Sequence, residues 1–428
     1  MEQALPLLAD QFDDLLNRLP HDLDLDDLAR QTKAIERDRK VGSGITLLRL
    51  ALARGPGGLS LSATAAWATT RGLPELSDPG IKYRLDKSVD FLEAVMRHQL
   101  AALSAGASVR WPGRVLRASD GTCISKRGST GTDWRVHAVY DLGRGGFSHL
   151  ELTDGHGSEA IDRGASVAGE VRIGDRAYGT APSLNRFRKE AADGADFIVR
   201  VRWRGFNLHR PGGQDFDLID HLATLPNDMA PHEVSVVAKA KQPLALRLII
   251  QRKTPEAAEA TRKKLRCEAS RKQTTLDPRS LVAAEFMILA TSLPNEYLAQ
   301  EILAVYRLRW QIELAFKRLK SLLHIDRLPT WTAQASRSWL YAHLIMALLC
   351  DDLSQDFLDI FPSGSDRPSL SPVSLADPGR GLVMAHQRRL GDHHLARLAQ
   401  PTPQRSATLG KPQTKKTAAH MLPRETLV

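Results

Sequence analysis

Three carboxylates in this chain stand where they could do chemistry together. Asp120 lies in RVLRASDGTCI and Asp175 in EVRIGDRAYGT, each preceded by strand-like sequence, and Glu313 lies in YRLRWQIELAFKRLK (306–320), which reads as helical throughout. Two carboxylates from adjacent strands and a third from a helix packed across them would form a cage of hard oxygen ligands for divalent cations. Two such ions about 4 Å apart activate a nucleophile and stabilise the leaving oxygen of an in-line phosphodiester displacement. Each residue also has a plainer role open to it. Asp-Gly is a hairpin-turn signal, an aspartate after glycine caps a turn, and Glu313 stands four residues from both Arg309 and Lys317, a spacing that stabilises a solvated helix face.

The helix carrying Glu313 has an ordered polar set. At about 100° per residue, with Tyr306 taken as zero, Arg309 falls near ~300°, Glu313 near ~340° and Lys320 near ~320°, a stripe roughly 60° wide. Val305, Leu308, Ile312, Ala315, Phe316 and Leu319 fill the sector from about 180° to 280° and would face the core.

These residues need a scaffold, and the hydrophobic period supplies one. Residues 1–108 read as helices bounded by Gly and Pro (ITLLRLALARG, LSATAAWATTRGL, IKYRLDKSVDFLEAVMRHQLAAL). A short helix, a turn and a longer helix bearing Lys82, Arg84, Lys87 and Arg97 fit a DNA-reading unit or a plain helical bundle. Over 109–195 the period changes to two: three short strands separated by Gly-rich turns, a helix expected in HGSEAIDRGASV (156–167), then the strand EVRIGD. A meander entering a crossover helix and a further strand predicts an α/β fold with a mixed sheet. Residues 196–280 alternate polar with β-branched residues and read as a further sheet, a β-rich insertion, ending in the basic helix EAAEATRKKLRCEASRKQTT. Residues 281–355 return to a strand, the Glu313 helix and the buried helix SRSWLYAHLIMALLCDDL. Residues 356–428 hold a Pro/Ser-rich linker and a basic tail expected to be disordered.

Composition bounds what such a chain can do. A net charge of +10, with an acidic stretch at 13–30 that leaves the rest more basic still, favours polyanionic partners, because each cation set against a phosphate releases a condensed counterion. The longest apolar runs, 286–293 and 344–350, are far shorter than the ~20 residues that span a bilayer. With no secretory signal at the amino terminus, a cytoplasmic protein is expected. Cys123, Cys267 and Cys350 lie far apart, which argues against a zinc site and a disulfide framework. There is no P-loop, so nucleotide hydrolysis is not indicated, and His393 and His394 lack partners at metal-ligand spacing.

The spacing Tyr306-x2-Arg309-x3-Glu313-x6-Lys320 resembles the YREK signature of DDE transposases of the insertion-sequence-4 family, with SDGT around Asp120 and DRAY at 175–178 similar to that family's first two acidic motifs. Ala177 stands where many relatives have glycine. The resemblance covers roughly residues 40–350 and implies a ribonuclease-H-like catalytic domain behind an amino-terminal helical DNA-binding domain. It also accounts for the long gap between Asp175 and Glu313, since such relatives carry a β-rich insertion there. By the same resemblance Asp120, Asp175 and Glu313 would be the catalytic residues and hold two Mg²⁺ ions, with Mn²⁺ as a substitute. Tyr306, Arg309 and Lys320 would grip phosphates of double-stranded DNA, Arg as a bidentate fork and Lys as a point charge. Trp310 would stack on an unpaired base or pack at the core's edge, and Lys317 would touch a phosphate or pair with Glu313. The implied activity is cleavage at terminal inverted repeats and joining of the 3′ ends to target DNA, by a homodimer that associates with the nucleoid. A nuclease that cuts without joining and a DNA-binding relative without turnover are the alternatives.

Overall fold

Alternating and helical periods resolve into a helical layer and a single large sheet in the computed structural model, which describes residues 15–360 except 38–39, 105–108, 112, 240–241 and 330–331. The linker and basic tail, with His393 and His394, lie outside these residues. The amino-terminal part is helical, with α1 (Leu25–Gln31), α2 (Gly44–Arg54), α3 (Leu61–Thr70), α4 (Asp78–Lys87) and α5 (Val89–Ser104). Asp24, Ser43, Ser60 and Ser77 begin the first four by accepting bonds from amides two or three residues on, which satisfies donors the helix cannot. The run from Ile81 onward, expected to be one long helix, divides at buried Ser88, whose hydroxyl donates to the Leu85 carbonyl at 2.9 Å. Lys82 pairs with Asp86 and Arg97 with Glu93, both at 2.6 Å, so two of the four basic residues there are engaged on their own helices.

The sheet has eleven strands. β1 (Val109–Trp111) flanks β2 (Arg114–Ile124), which forms an antiparallel meander with β3 (Trp134–Asp141) and β4 (Gly146–Asp154); β5 (Glu170–Gly174) then pairs parallel to β2. Helix α6 (Ala181–Glu190) crosses over to β6 (Asp196–Arg200), parallel to β5. The order β4-β3-β2-β5-β6 is that of a ribonuclease-H-like sheet.

The helix expected in HGSEAIDRGASV is absent: residues 155–169 form turns between β4 and β5. Arg172 of β5, fully buried, donates to the carbonyls of Ile161, Arg163 and Ala165, acceptors that a helix would have used for its own amides. Its charge is matched by buried Glu170, which also pairs with Arg117 at 3.2 Å. Gly164, at φ 74, adds a left-handed step.

Beyond β6 the chain adds β7 (Leu208–His209), β8 (Asp215–Phe216), α7 (Leu218–Thr224), β9 (Pro231–Ala238), β10 (Leu244–Arg252), α8 (Pro255–Arg271) and α9 (Pro278–Ala283), before β11 (Phe286–Thr291). The strands of this segment do not form a further sheet. β11 pairs antiparallel with β6 and β10 with β11, so they extend the first one. α10 (Ala299–Arg307), α11 (Trp310–Leu322) and α12 (Ala333–Ile360) complete the described chain.

One apolar cluster joins the amino-terminal helices, α11, α12 and the inner faces of β3 and β4; others lie beneath the extended half of the sheet and under α10. α12, expected as a buried helix, has Leu340, Leu344, Ile345 and Leu348 essentially inaccessible. Among the described residues no helix is long and apolar enough to cross a membrane.

Candidate active site

Parallel pairing of β2 with β5 ends at Ser119 opposite Gly174. The next residue on each chain, Asp120 and Asp175, therefore stands at the same level on neighbouring strands: β5 has ended before Asp175, while β2 runs on through Asp120, paired with Ala138 of β3, to Ile124. Each carboxylate is steadied by nearby backbone: Asp120 Oδ1 accepts from the Gly121 amide at 2.8 Å and Asp175 Oδ1 from the Ala177 amide at 2.7 Å. The turn role and a chemical role are compatible, since each bond occupies one oxygen of two.

α11 packs across β2. Glu313, Lys317 and Lys320, spaced four and three apart, share its cleft-facing side. With Asp120 they line an open cleft of about 480 Å³, to which Phe316 and Asp326 also contribute. Burial pushes Asp120 up to about 6, and the neighbouring Asp175 and Glu313 charges add to the rise; the Gly121 amide and the Arg309 guanidinium work against it. Asp120, Asp175, Arg309 and Glu313 thus sit in one another's fields.

The three carboxylates do not close into a metal cage. Among the described residues no group of three or more His, Cys, Asp or Glu side chains is gathered to hold a metal. The expectation that Glu313 lies within bridging distance of both aspartates is not met here, because Arg309 Nη2 holds Glu313 Oε1 at 2.7 Å. The donor chemistry nonetheless suits a hard divalent cation: all ligands are carboxylate oxygens, and the repulsion that raises Asp120 is what such a charge would relieve.

The helix is also not continuous. α10 ends at Arg307, and the Leu308, Arg309 and Gln311 amides bond three residues back, to Val305, Tyr306 and Leu308. These tight turns reset the angular phase, so Tyr306 does not share a stripe with Glu313 and Lys320. Tyr306 is 8% exposed, inside the apolar cluster under α10 rather than open to the cleft; burial pushes its hydroxyl up. Arg309 bridges the two positions, its guanidinium 5.9 Å from the Tyr306 ring centre while it pairs with Glu313. Trp310 is 49% exposed, so core packing does not claim it.

Sequence reasoning passes over Tyr178. It is fully buried, with a hydroxyl that has no hydrogen-bond partner among the described residues. Burial first, then the Asp120, Glu159 and Asp175 charges, push that hydroxyl up. The available signal was an aromatic three residues past Asp175 in a turn otherwise made of small and charged residues.

With this geometry in view, comparisons with known proteins are informative. Residues 111–349 match the family described as the Transposase DDE domain. The transposase for insertion sequence element IS421 of Escherichia coli is 38% identical over 366–367 aligned positions, covering 84% of this chain and 98% of that protein, as is the InsL protein of IS186A from Escherichia coli strain K12. The transposase for IS231C of Bacillus thuringiensis subsp. berliner is 26% identical over 373 residues, 76% of each chain. Among solved structures, a piggyBac transposase synaptic complex with hairpin DNA covers 88% of this chain and 79% of that one, at 10% identity and a TM-score of 0.40.

Proposed function

Because this chain belongs to the DDE transposase family, we propose that it cuts double-stranded DNA at the terminal inverted repeats of an insertion sequence and joins the freed 3′ ends to target DNA. The observation that carries this reading is the placement of Asp120 and Asp175 at one level on neighbouring strands, just past the parallel pairing of β2 with β5, with Glu313 lining the cleft at Asp120 from α11. Asp120, Asp175 and Glu313 are the catalytic residues and the ligands. Two Mg²⁺ ions, or Mn²⁺, would supply Lewis acidity to the phosphodiester and a nucleophilic hydroxide or alkoxide at neutral pH.

The chain's own residues do the rest. Arg309 presents a planar fork to a phosphate oxygen, and when it takes one it releases Glu313 to turn toward the aspartates. Lys317 and Lys320 hold phosphates along the cleft as point charges. Trp310, exposed at the head of α11, offers a face on which an unpaired base stacks, and Tyr306 supports Arg309 from beneath. Two copies, one per element end, act together on DNA of the nucleoid.

The test is incubation of the full chain with a duplex carrying the element's terminal repeat, with and without Mg²⁺, beside Glu313→Ala. Wild type is expected to give nicked and joined products only with metal, and the variant to lose about a thousandfold or more, the kinetic equivalent of several kcal/mol. Nicked product that is never joined would replace the proposal with a nuclease. Binding without any product in Mg²⁺ or Mn²⁺ would remove the enzymatic reading.

A further inference from the structure

A second set of charges continues the line of the carboxylates. β10 runs antiparallel to β11, which runs antiparallel to β6, so β2, β5, β6 and β10 all end on the same side of the sheet. Asp175 follows the end of β5, and Asp120 stands level with it on β2, which runs on to Ile124. Arg176 follows Asp175, Arg200 closes β6 with Arg202 two residues on, and Lys253 follows the last residue of β10. The carboxylates are therefore succeeded, along one edge, by four cations.

The three arginines lie in one another's fields, while Lys253 donates to the Ala284 carbonyl at 2.7 Å and the Thr261 hydroxyl at 3.2 Å and has no carboxylate partner among the described residues. Among the described residues Arg176, Arg200 and Arg202 have no carboxylate within ion-pair distance. Arg176 is held down by burial and by the charges of Arg200 and Arg202, and Lys253 is pushed down to about 8 by burial, Arg200 and Arg176. Arg200 also acts on Tyr306, which ties the set to the Arg309 side of the site. The basic helix α8 differs, since several of its cations are engaged locally: Arg262 pairs with Glu285 at 2.5 Å, Arg266 with Glu259 at 2.9 Å and, just past its end, Lys272 with Glu268 at 2.7 Å. Asp175 offsets part of the repulsion at Arg176; the remaining excess of like charge costs free energy in the folded chain, and a polyanion removes that cost.

We infer that Arg176, Arg200, Arg202 and Lys253 form a phosphate-binding row for the DNA backbone, on the side of the carboxylates away from Lys317 and Lys320. DNA lying along this edge has its scissile phosphate at Asp120 and Asp175, with flanking phosphates held by Lys317 and Lys320 on one side and by this row on the other. The inference rests on the transposase reading for its ligand, but it needs neither metal nor turnover.

Binding of the full chain to a short fluorescein-labelled duplex is measured by anisotropy in EDTA across a range of salt, for wild type, the single variant Arg202→Gln, the triple variant Arg176→Gln/Arg200→Gln/Arg202→Gln and the matching triple lysine variant. Each phosphate contact contributes about 0.9 to the slope of log affinity against log salt. The single variant is expected to lower the slope by about 1 and the triple glutamine variant by about 2–3, while the lysine variant retains most of it. The triple glutamine variant should melt no lower than wild type, since it relieves repulsion. Slopes equal to wild type in both glutamine variants would overturn the row and leave the transposase reading standing. Failure of wild type itself to bind the duplex would overturn both.

Discussion

Arg309 is the residue on which the site's present state turns. It holds Glu313 at 2.7 Å, lies over Tyr306 and lowers the pKa of Asp120 by its charge. Its side chain is only 18% exposed and its Nε has no partner among the described residues, so substitution also leaves a desolvated gap. Arg309→Ala is expected to weaken binding of duplex DNA about tenfold or more, the scale of one charge-assisted hydrogen bond, as read by anisotropy. Arg309→Lys should recover little of it, since an ammonium cannot reproduce the planar fork. Asp120, Asp175 and Glu313 were singled out in the sequence by the resemblance, since each taken singly reads as a turn residue or as part of a solvated helix face; the structure sets Asp120 level with Asp175 on neighbouring strands and beside Glu313 in one cleft. The Arg309–Glu313 contact was legible only as spacing, because i,i+4 geometry is compatible with a solvated face and with a cleft alike.

At the level of elements, two departures from pattern have local causes that periodicity does not carry. The junction of α10 and α11 contains neither Pro nor Gly, and its apolar positions suit an unbroken helix, so the break at Leu308 and Arg309 leaves no trace in composition. Tertiary demand decides it: Tyr306 is needed in the cluster under α10 and Ile312 in the cluster under α11. In residues 155–169 a helical period was misleading because a distant side chain, Arg172, takes the carbonyls. Most strands were readable from their alternation, but FDLIDHLATL (216–225), expected as part of the further sheet, is helical over Leu218–Thr224, because Asp217 accepts from the Ile219 and Asp220 amides and starts a helix there; that the insertion's strands would join the first sheet was not readable, since pairing partners lie far apart in sequence. Arg172→Met should leave Glu170 with Arg117 as its one cation beside the Val167 amide, and should strip a donor from the Ile161, Arg163 and Ala165 carbonyls. A loss of about 3 kcal/mol is expected, near the lower end for breaking a buried pair, measurable as a lower urea midpoint; an unchanged midpoint would mean the guanidinium does not hold this loop.

Across the whole molecule, α12 ties the amino-terminal helices to the catalytic half of the sheet, and a titratable group sits in that joint. His343 is buried, donates from Nδ1 to the Trp339 carbonyl at 2.8 Å and lies 3.7 Å from the Trp339 ring. Burial, with smaller contributions from His324 and Arg54, pushes it down from 6.5 to about 3. A depressed histidine leaves stability untouched above pH 6.5. Between 6.5 and 3 the unfolded chain takes up a proton that the folded chain refuses, so stability falls as pH falls, by up to about 1.4 kcal/mol per pH unit. Melting temperatures of wild type and His343→Asn, followed from neutral to acid pH, should diverge above pH 6.5 by a constant and converge below it; parallel curves throughout would show that His343 does not govern the joint.

The single sheet has one more consequence. Carboxylates and cations stand on strands locked side by side by backbone hydrogen bonds, each step roughly 4.8 Å, which places the end of β10 three steps, roughly 14 Å, from that of β5. The backbone therefore acts as a gauge whose pitch no side chain sets. Changing any one of these residues alters how hard the molecule grips, while the interval between grip and cut stays fixed by the ladder beneath.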